Sequence, residues 1–296
     1  MTRQYSVAQM RKFAQKADKR NDPTWLESQE ERKRLESEFH DKKHEEMEEA
    51  KANKAMDTYE AVYTNRKYYK AVHACSAYSD QWIKEQCKSK IVLDYCCGVG
   101  GSAIKAAHAG ADLVIGIDIS ESSLKVAQQR AEDAGVADRV VFILGDAENT
   151  GLPENSVERI ICSGVLHHLD LDFAGPELFR TSAPGGKALA IEALDYNPAI
   201  KLYRMRTPDI RTEWEKAHIL SMKDIRNLRK YFIVDDIRFW HIVGIAAPHL
   251  PNFMNPILNG IDRVLEKIPY VQRMAWMFTF IMEKPSVSPA TDKKTL

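Results

Sequence analysis

No excess of charge of either sign marks this sequence: 42 Lys and Arg stand against 42 Asp and Glu. A dedicated nucleic-acid binder normally carries a basic surplus, so no nucleic-acid partner is expected. Long apolar runs are also missing. The longest near the end, Met274 to Met282, covers nine residues, whereas a bilayer-spanning helix needs about 20. No stable membrane insertion is therefore expected. The opening residues show no apolar run with a small-residue cleavage site, which makes the cytoplasm the expected compartment. Cysteine is scarce: Cys75, Cys87, Cys96, Cys97 and Cys162 are odd in number and form no CxxC pair. Free thiols in a reducing compartment are the simplest reading, with no metal site. His40 and His44 have the i,i+4 spacing that can chelate an ion. Without a third ligand nearby they read as a solvated surface pair.

The chain changes character near residue 90. Before it the composition is charged and nearly free of Gly and Pro. Trp25 to Met56 reads as one long polar helix with i,i+4 Glu and Lys pairs, and Tyr59 to Gln86 as a second, more aromatic one. Residues 1–88 are thus expected to form a helical N-terminal cap, and the long helix is a candidate dimer element. From residue 89 apolar runs alternate with helical stretches: Ile91–Asp94, Leu113–Asp118, Arg139–Leu144, Arg159–Cys162 and Lys187–Leu194 read as buried parallel strands. Asn197 to Tyr231 reads as helical and Ile237 to Ile245 as strand. A Pro- and Asn-rich insertion (about 246–274) then precedes a final strand, Trp276 to Ile281. The pattern predicts an α/β fold, a doubly wound and mostly parallel seven-stranded sheet with an antiparallel last strand.

The densest chemistry follows the first strand. In Asp94-Tyr-Cys-Cys-Gly98-Val-Gly100-Gly, glycines let the backbone approach a ligand, and the helix start behind them favours a negative group. Asp118 ends the second strand, 20 residues after Gly98, where a carboxylate can accept from ribose hydroxyls. Taken alone the loop also fits the dinucleotide pattern G-x-G-x-x-A, which keeps an NAD-dependent oxidoreductase open.

Further segments resemble the class I (Rossmann-like) S-adenosylmethionine methyltransferases over about residues 90–195. Leu93–Gly100 looks like that family's first motif and Gly116-Ile-Asp118-Ile119-Ser like its second. Gly145-Asp146-Ala147-Glu148 stands where the family bonds the adenine. Ile161–Leu169, with Ser163, looks like the motif beside the transfer centre, and Pro184–Lys187 like the turn into strand five. The resemblance implies S-adenosylmethionine as cofactor, held by Asp94, Cys96, Gly98, Gly100, Asp118, Ile119, Asp146, Ala147 and Ser163. One departure is that Cys96 replaces the loop's usual first glycine.

Candidate bases lie near the ends of strands four and five: His167, His168 and Glu192, with His218 farther on. Tyr203, Arg204 and Arg211 belong to a substrate lid (about 196–231), where paired arginine N–H groups can hold a carboxylate or phosphate. The expected activity is methyl transfer to an oxygen or nitrogen of a small organic molecule. A quinone or lipid precursor is an alternative acceptor, with Ile242 to Ile257 lining an apolar tunnel. A non-catalytic cofactor-binding module is a further alternative.

Overall fold

The computed structural model describes residues 3–53 and 73–286. Its centre is a seven-stranded sheet: β1 (Ile91–Tyr95), β2 (Leu113–Asp118), β3 (Val140–Leu144), β4 (Val157–Ser163), β5 (Ser182–Ala193), β6 (Ile233–Trp240) and β7 (Met277–Glu283). The order is β3-β2-β1-β4-β5-β7-β6. β1 to β5 pair in parallel, and β7 runs antiparallel between β5 and β6. Every residue of β1 and β2 is buried. Such strands carry no apolar–polar alternation, because helices cover both faces.

The period-two pleat splits β1 between two cores. Ile91, Leu93 and Tyr95 face one, together with Met10, Ala14 and Ala17 of helix α1 (Val7–Ala17). Val92 faces the other, with Trp82 and Ile83 of α3 (His73–Gln86). α1 and α3, although they precede residue 89, thus belong to the layers flanking the sheet. α2 (Glu31–Ala52) instead lies along the carboxyl ends of the strands. α4 (Gly101–His108) follows β1, and α5 (Glu121–Asp133) starts from the Ser120 cap, whose side chain accepts the N–H of Ser123. α6 (Leu171–Thr181) leads into β5.

Several boundaries differ from those expected. The long polar helix begins at Glu31, because Trp25 to Ser28 is a turn in which Ser28 Oγ donates to the Trp25 carbonyl. Tyr59, Tyr63, Tyr68 and Tyr69 lie outside the described residues. The expected helix 197–231 is broken into α7 (Pro198–Arg206), α8 (Glu213–Ala217) and α9 (Met222–Leu228). Asn197, Thr212 and Ser221 each cap a fresh helix start there. β6 lies four residues earlier at its start than Ile237. Asp235 and Asp236 look like a turn, but they sit at a register shift with Asp236 at φ +44°. α10 (Asn255–Leu265) fills the insertion. Among the described residues no helix is long and apolar enough to cross a membrane.

Candidate active site

The chain leaves β1 for β2 and β3 on one side, then returns to β4 on the other, so a crevice opens at the carboxyl ends of β1 and β4. A cavity of 230 Å³ lies there, lined by Cys96, Gly98, Asp118, Ile119, Asp146 and Ala147, and by Gly164 and His168. Asp118 is aimed by its neighbours. Its Oδ2 accepts the Gly98 N–H at 2.7 Å and its Oδ1 the Ser120 N–H at 2.9 Å. Gly98 has φ +48°, and a Cβ there would meet nothing within 4 Å, so the backbone is bare toward the cavity. Cys96 adopts φ +51°, a left-handed conformation costing a residue with a Cβ about 1–2 kcal/mol. Burial pushes its thiol well above the ordinary range, which leaves a neutral wall.

The helix α2 closes the cavity from above. Lys33 Nζ is 2.8 Å from Asp146 Oδ2 and 2.9 Å from Glu148 Oε2. Arg32 donates to Glu148 at 2.7 and 2.8 Å and to the His168 carbonyl at 3.1 Å. Ser37 Oγ donates to the Ile119 carbonyl at 3.0 Å. Farther along, Asp41 accepts from the Ser120 hydroxyl at 2.7 Å, a carboxylate set at the amino end of α5.

A second cavity of 540 Å³ shares His40, Gly164 and His168 with the first. Ile191, Ile200, Ile245 and Trp276 give it apolar walls, and His167, Arg204, Arg211 and Glu215 a polar side. Two histidine–carboxylate pairs stand at the junction. His167 Nδ1 donates to Glu192 Oε2 at 2.8 Å, while Glu192 Oε1 accepts the N–H groups of Val165 and Leu166, both at 2.8 Å. Glu192 is fully buried. His168 Nδ1 donates to Glu36 Oε2 at 3.1 Å, and Thr212 donates its hydroxyl to Glu36 Oε1. Burial alone would raise the Glu36 carboxyl, but the His168 and Thr212 hydrogen bonds and the His168 charge bring it below its usual value. For His168 burial works downward, yet the Glu36 hydrogen bond and the nearby Glu215 lift the ring above its usual value. Burial and the charge of His168 push His40 down.

Among the described residues, Glu36, His40 and His168 form the one grouping of metal-ligand type, with ligand atoms within 4.8 Å of one another. The 3.1 Å hydrogen bond between two of its members satisfies them without an ion.

The structure gathers Cys96, Gly98, Asp118, Ile119, Asp146 and Ala147 around the first cavity and Ser163, His167, His168, Tyr203, Arg204 and Arg211 around the second. Others stand apart. Asp94 is buried beneath the loop, where it accepts the Ala103 N–H at 2.8 Å and burial pushes its carboxyl up to about 8. Gly100 lines neither cavity; a Cβ there would lie 2.8 Å from the Phe142 ring, so its role is close packing. His218 is exposed and stacked on Trp214 at 3.7 Å, away from both cavities. Arg204 and Arg211 turn toward Glu215, whose Oε1 lies 3.6 and 3.5 Å away, and that oxygen is 3.9 Å from His167 Nε2. Glu36 is a site residue that sequence reasoning missed, and the pair expected to be solvated is not: His40 lines both cavities and His44 Nε2 lies 2.9 Å from Ser123 Oγ.

A doubly wound sheet of this order, with its crevice at these strand ends and β7 antiparallel between β5 and β6, is the class I methyltransferase fold. Residues 92–186 match the family described as "Methyltransferase domain", within a sheet that has this fold. The chain is 28% identical over 131 residues to sterol 24-C-methyltransferase of Pneumocystis carinii, covering 44% of this chain and 32% of the relative. It is 32% identical over 123 residues to ribosomal protein L11 methyltransferase of Photobacterium profundum, covering 41% and 40%. It is 38% identical over 97 residues to 27-O-demethylrifamycin SV methyltransferase of Amycolatopsis mediterranei, covering 32% and 36%. The chain thus spans roughly a third of the length of these curated relatives. Among solved structures, the [4+2]-cyclase SpnF shares the fold, with a TM-score of 0.52 and 20% identity over 71% of this chain and 82% of that one.

Proposed function

We propose that this chain methylates an oxygen or nitrogen of a small organic molecule, with S-adenosylmethionine as the donor and His168 as the general base. The observation that carries this reading is the position of His168, which lines both cavities while its Nδ1 is held by Glu36. A carboxylate can only accept, so Nδ1 carries the ring proton and Nε2 keeps a lone pair. The first cavity fits the donor: an aimed carboxylate at Asp118, a bare backbone at Gly98 and apolar walls at Ile119 and Ala147. When bound, the sulfonium supplies an electrophilic methyl group, so little acid–base help is required beyond removal of the acceptor's proton. His168 takes that proton, and Glu36 stabilises the imidazolium that results. His167, pinned by Glu192, orients the acceptor from the same wall. The acceptor cavity falls within the range for small-molecule sites, and its mixed walls suit an amphiphilic molecule better than a folded chain.

Calorimetric titration with S-adenosylhomocysteine, with NADH as control, is the first test. Micromolar binding of the former alone supports the reading, followed by an acceptor screen scored by the mass of one added methyl. Binding of NADH instead returns the glycine loop to a dinucleotide. Intact donor binding without turnover on any acceptor favours a non-catalytic module.

A further inference from the structure

An apolar stripe runs along the insertion between β6 and β7. α10 turns Leu258 and Asp262 inward, while Ile257, Ile261 and Val264 stand 52%, 43% and 62% exposed. Their spacing, i, i+4 and i+7, places them on one helix face. Phe253 before the helix and Ile268 after it are likewise exposed, at 73% and 40%. Exposed large apolar residues are unremarkable singly, but a contiguous run marks an interaction surface.

The charges of this segment are sorted. Both carboxylates turn inward: Asp262 accepts the N–H groups of Ile242, Val243 and Gly244 at 3.1, 2.8 and 3.0 Å, and Glu266 that of His241 at 3.0 Å. The cations Arg263, Lys267 and Arg273 are exposed. What faces outward is therefore apolar and basic.

We propose that this face docks on an anionic lipid bilayer, with α10 lying in the interfacial plane. An amphipathic helix with apolar residues on one side and cations beside them sinks its stripe into the headgroup boundary, and the cations meet acidic lipid. A second copy is a poorer fit, because a two-fold contact through this stripe brings each basic rim beside its own like. The stripe also follows in the chain directly on residues of the acceptor cavity. Ile245, Ala246 and His249 line that cavity, and the chain passes from them directly into the stripe. An apolar acceptor dissolved in the bilayer would have a short path inward. That last step rests on the proposed methyl transfer, whereas docking does not, and the test has no catalytic readout.

The full chain is mixed with vesicles of phosphatidylcholine alone or of phosphatidylcholine with phosphatidylglycerol, then floated on a density gradient. It is expected to rise with the anionic vesicles and to be released by added salt. The double variant Phe253→Ser/Ile257→Ser should stay at the bottom with an unchanged thermal transition, since both side chains are exposed. Lys267→Glu should weaken anionic binding roughly tenfold. Absence of the wild-type chain from both vesicle types overturns the proposal. So does a double variant that floats like wild type. A concentration-dependent dimer in light scattering that this double variant disperses, without vesicle binding, assigns the stripe to self-association instead.

Discussion

Replacing Glu192 tests whether the wall between the two cavities is held by one buried carboxylate. Its Oε1 accepts two backbone N–H groups and its Oε2 the His167 ring N–H, all at 2.8 Å and out of contact with water. Glu192→Ala strands the Val165 and Leu166 N–H groups, each at a cost of about 1–3 kcal/mol. It also opens a cavity, so a total loss of about 4 kcal/mol is expected. Glu192→Gln keeps an acceptor for the backbone but turns an N–H toward His167, forcing the other tautomer. It should cost about 2 kcal/mol. Urea unfolding of Glu192→Ala, His167→Ala and the double variant closes a thermodynamic cycle. A coupling of about 1.5–3 kcal/mol is expected for a charged hydrogen bond. A coupling below about 0.5 kcal/mol, with both singles near wild type, would refute the claim that this carboxylate organises the wall.

Asp118→Ala should weaken S-adenosylhomocysteine binding by about 1–3 kcal/mol in calorimetry, because the aimed acceptor in the first cavity is lost. Gly116→Ala should destabilise the fold by about 1–3 kcal/mol in denaturant, since its Cβ would lie 2.6 Å from the Phe142 ring and 3.0 Å from Cys97 Sγ. Cys96→Gly should leave the fold intact and stabilise it by up to about 1 kcal/mol, because glycine accepts the positive φ without strain. The pH profile follows from His168. The ring is held above its usual value, so kcat/KM should rise with pH along a limb above about 6.5, and Glu36→Gln should move that limb down. In stability, the raised His168 contributes below its unfolded value and loses that contribution as pH climbs through its folded one. The lowered Glu36 contributes above its unfolded value and loses it as pH falls through its folded one.

The strands and their loops were legible because β1 and β2 open on the apolar runs Ile91–Leu93 and Leu113–Ile117, and because Gly98 and Asp118 stand near strand ends where the chain must turn. Glu36 and His40 were not. Hydrophobic periodicity reports what packs on an apolar surface, whereas α2 covers carboxylates and histidines and so buries polar residues. Its inward face therefore reads as solvent. Glu192 could be named from sequence, but its partner follows only from the register that sets β5 beside β4. The strand β6 was misplaced because its bulge holds two aspartates where a turn is usual.

Lys33, Glu36 and His40 stand at i, i+3 and i+7 on a single rigid helix. Lys33 grips the first cavity through Asp146, Glu36 fixes the ring of His168, and His40 borders both cavities. Because all three side chains project from one helix, a rigid displacement of α2 would move these contacts together. One helix therefore ties the lining of the first cavity to the His168–Glu36 pair, so a substitution that shifts α2 should disturb both together.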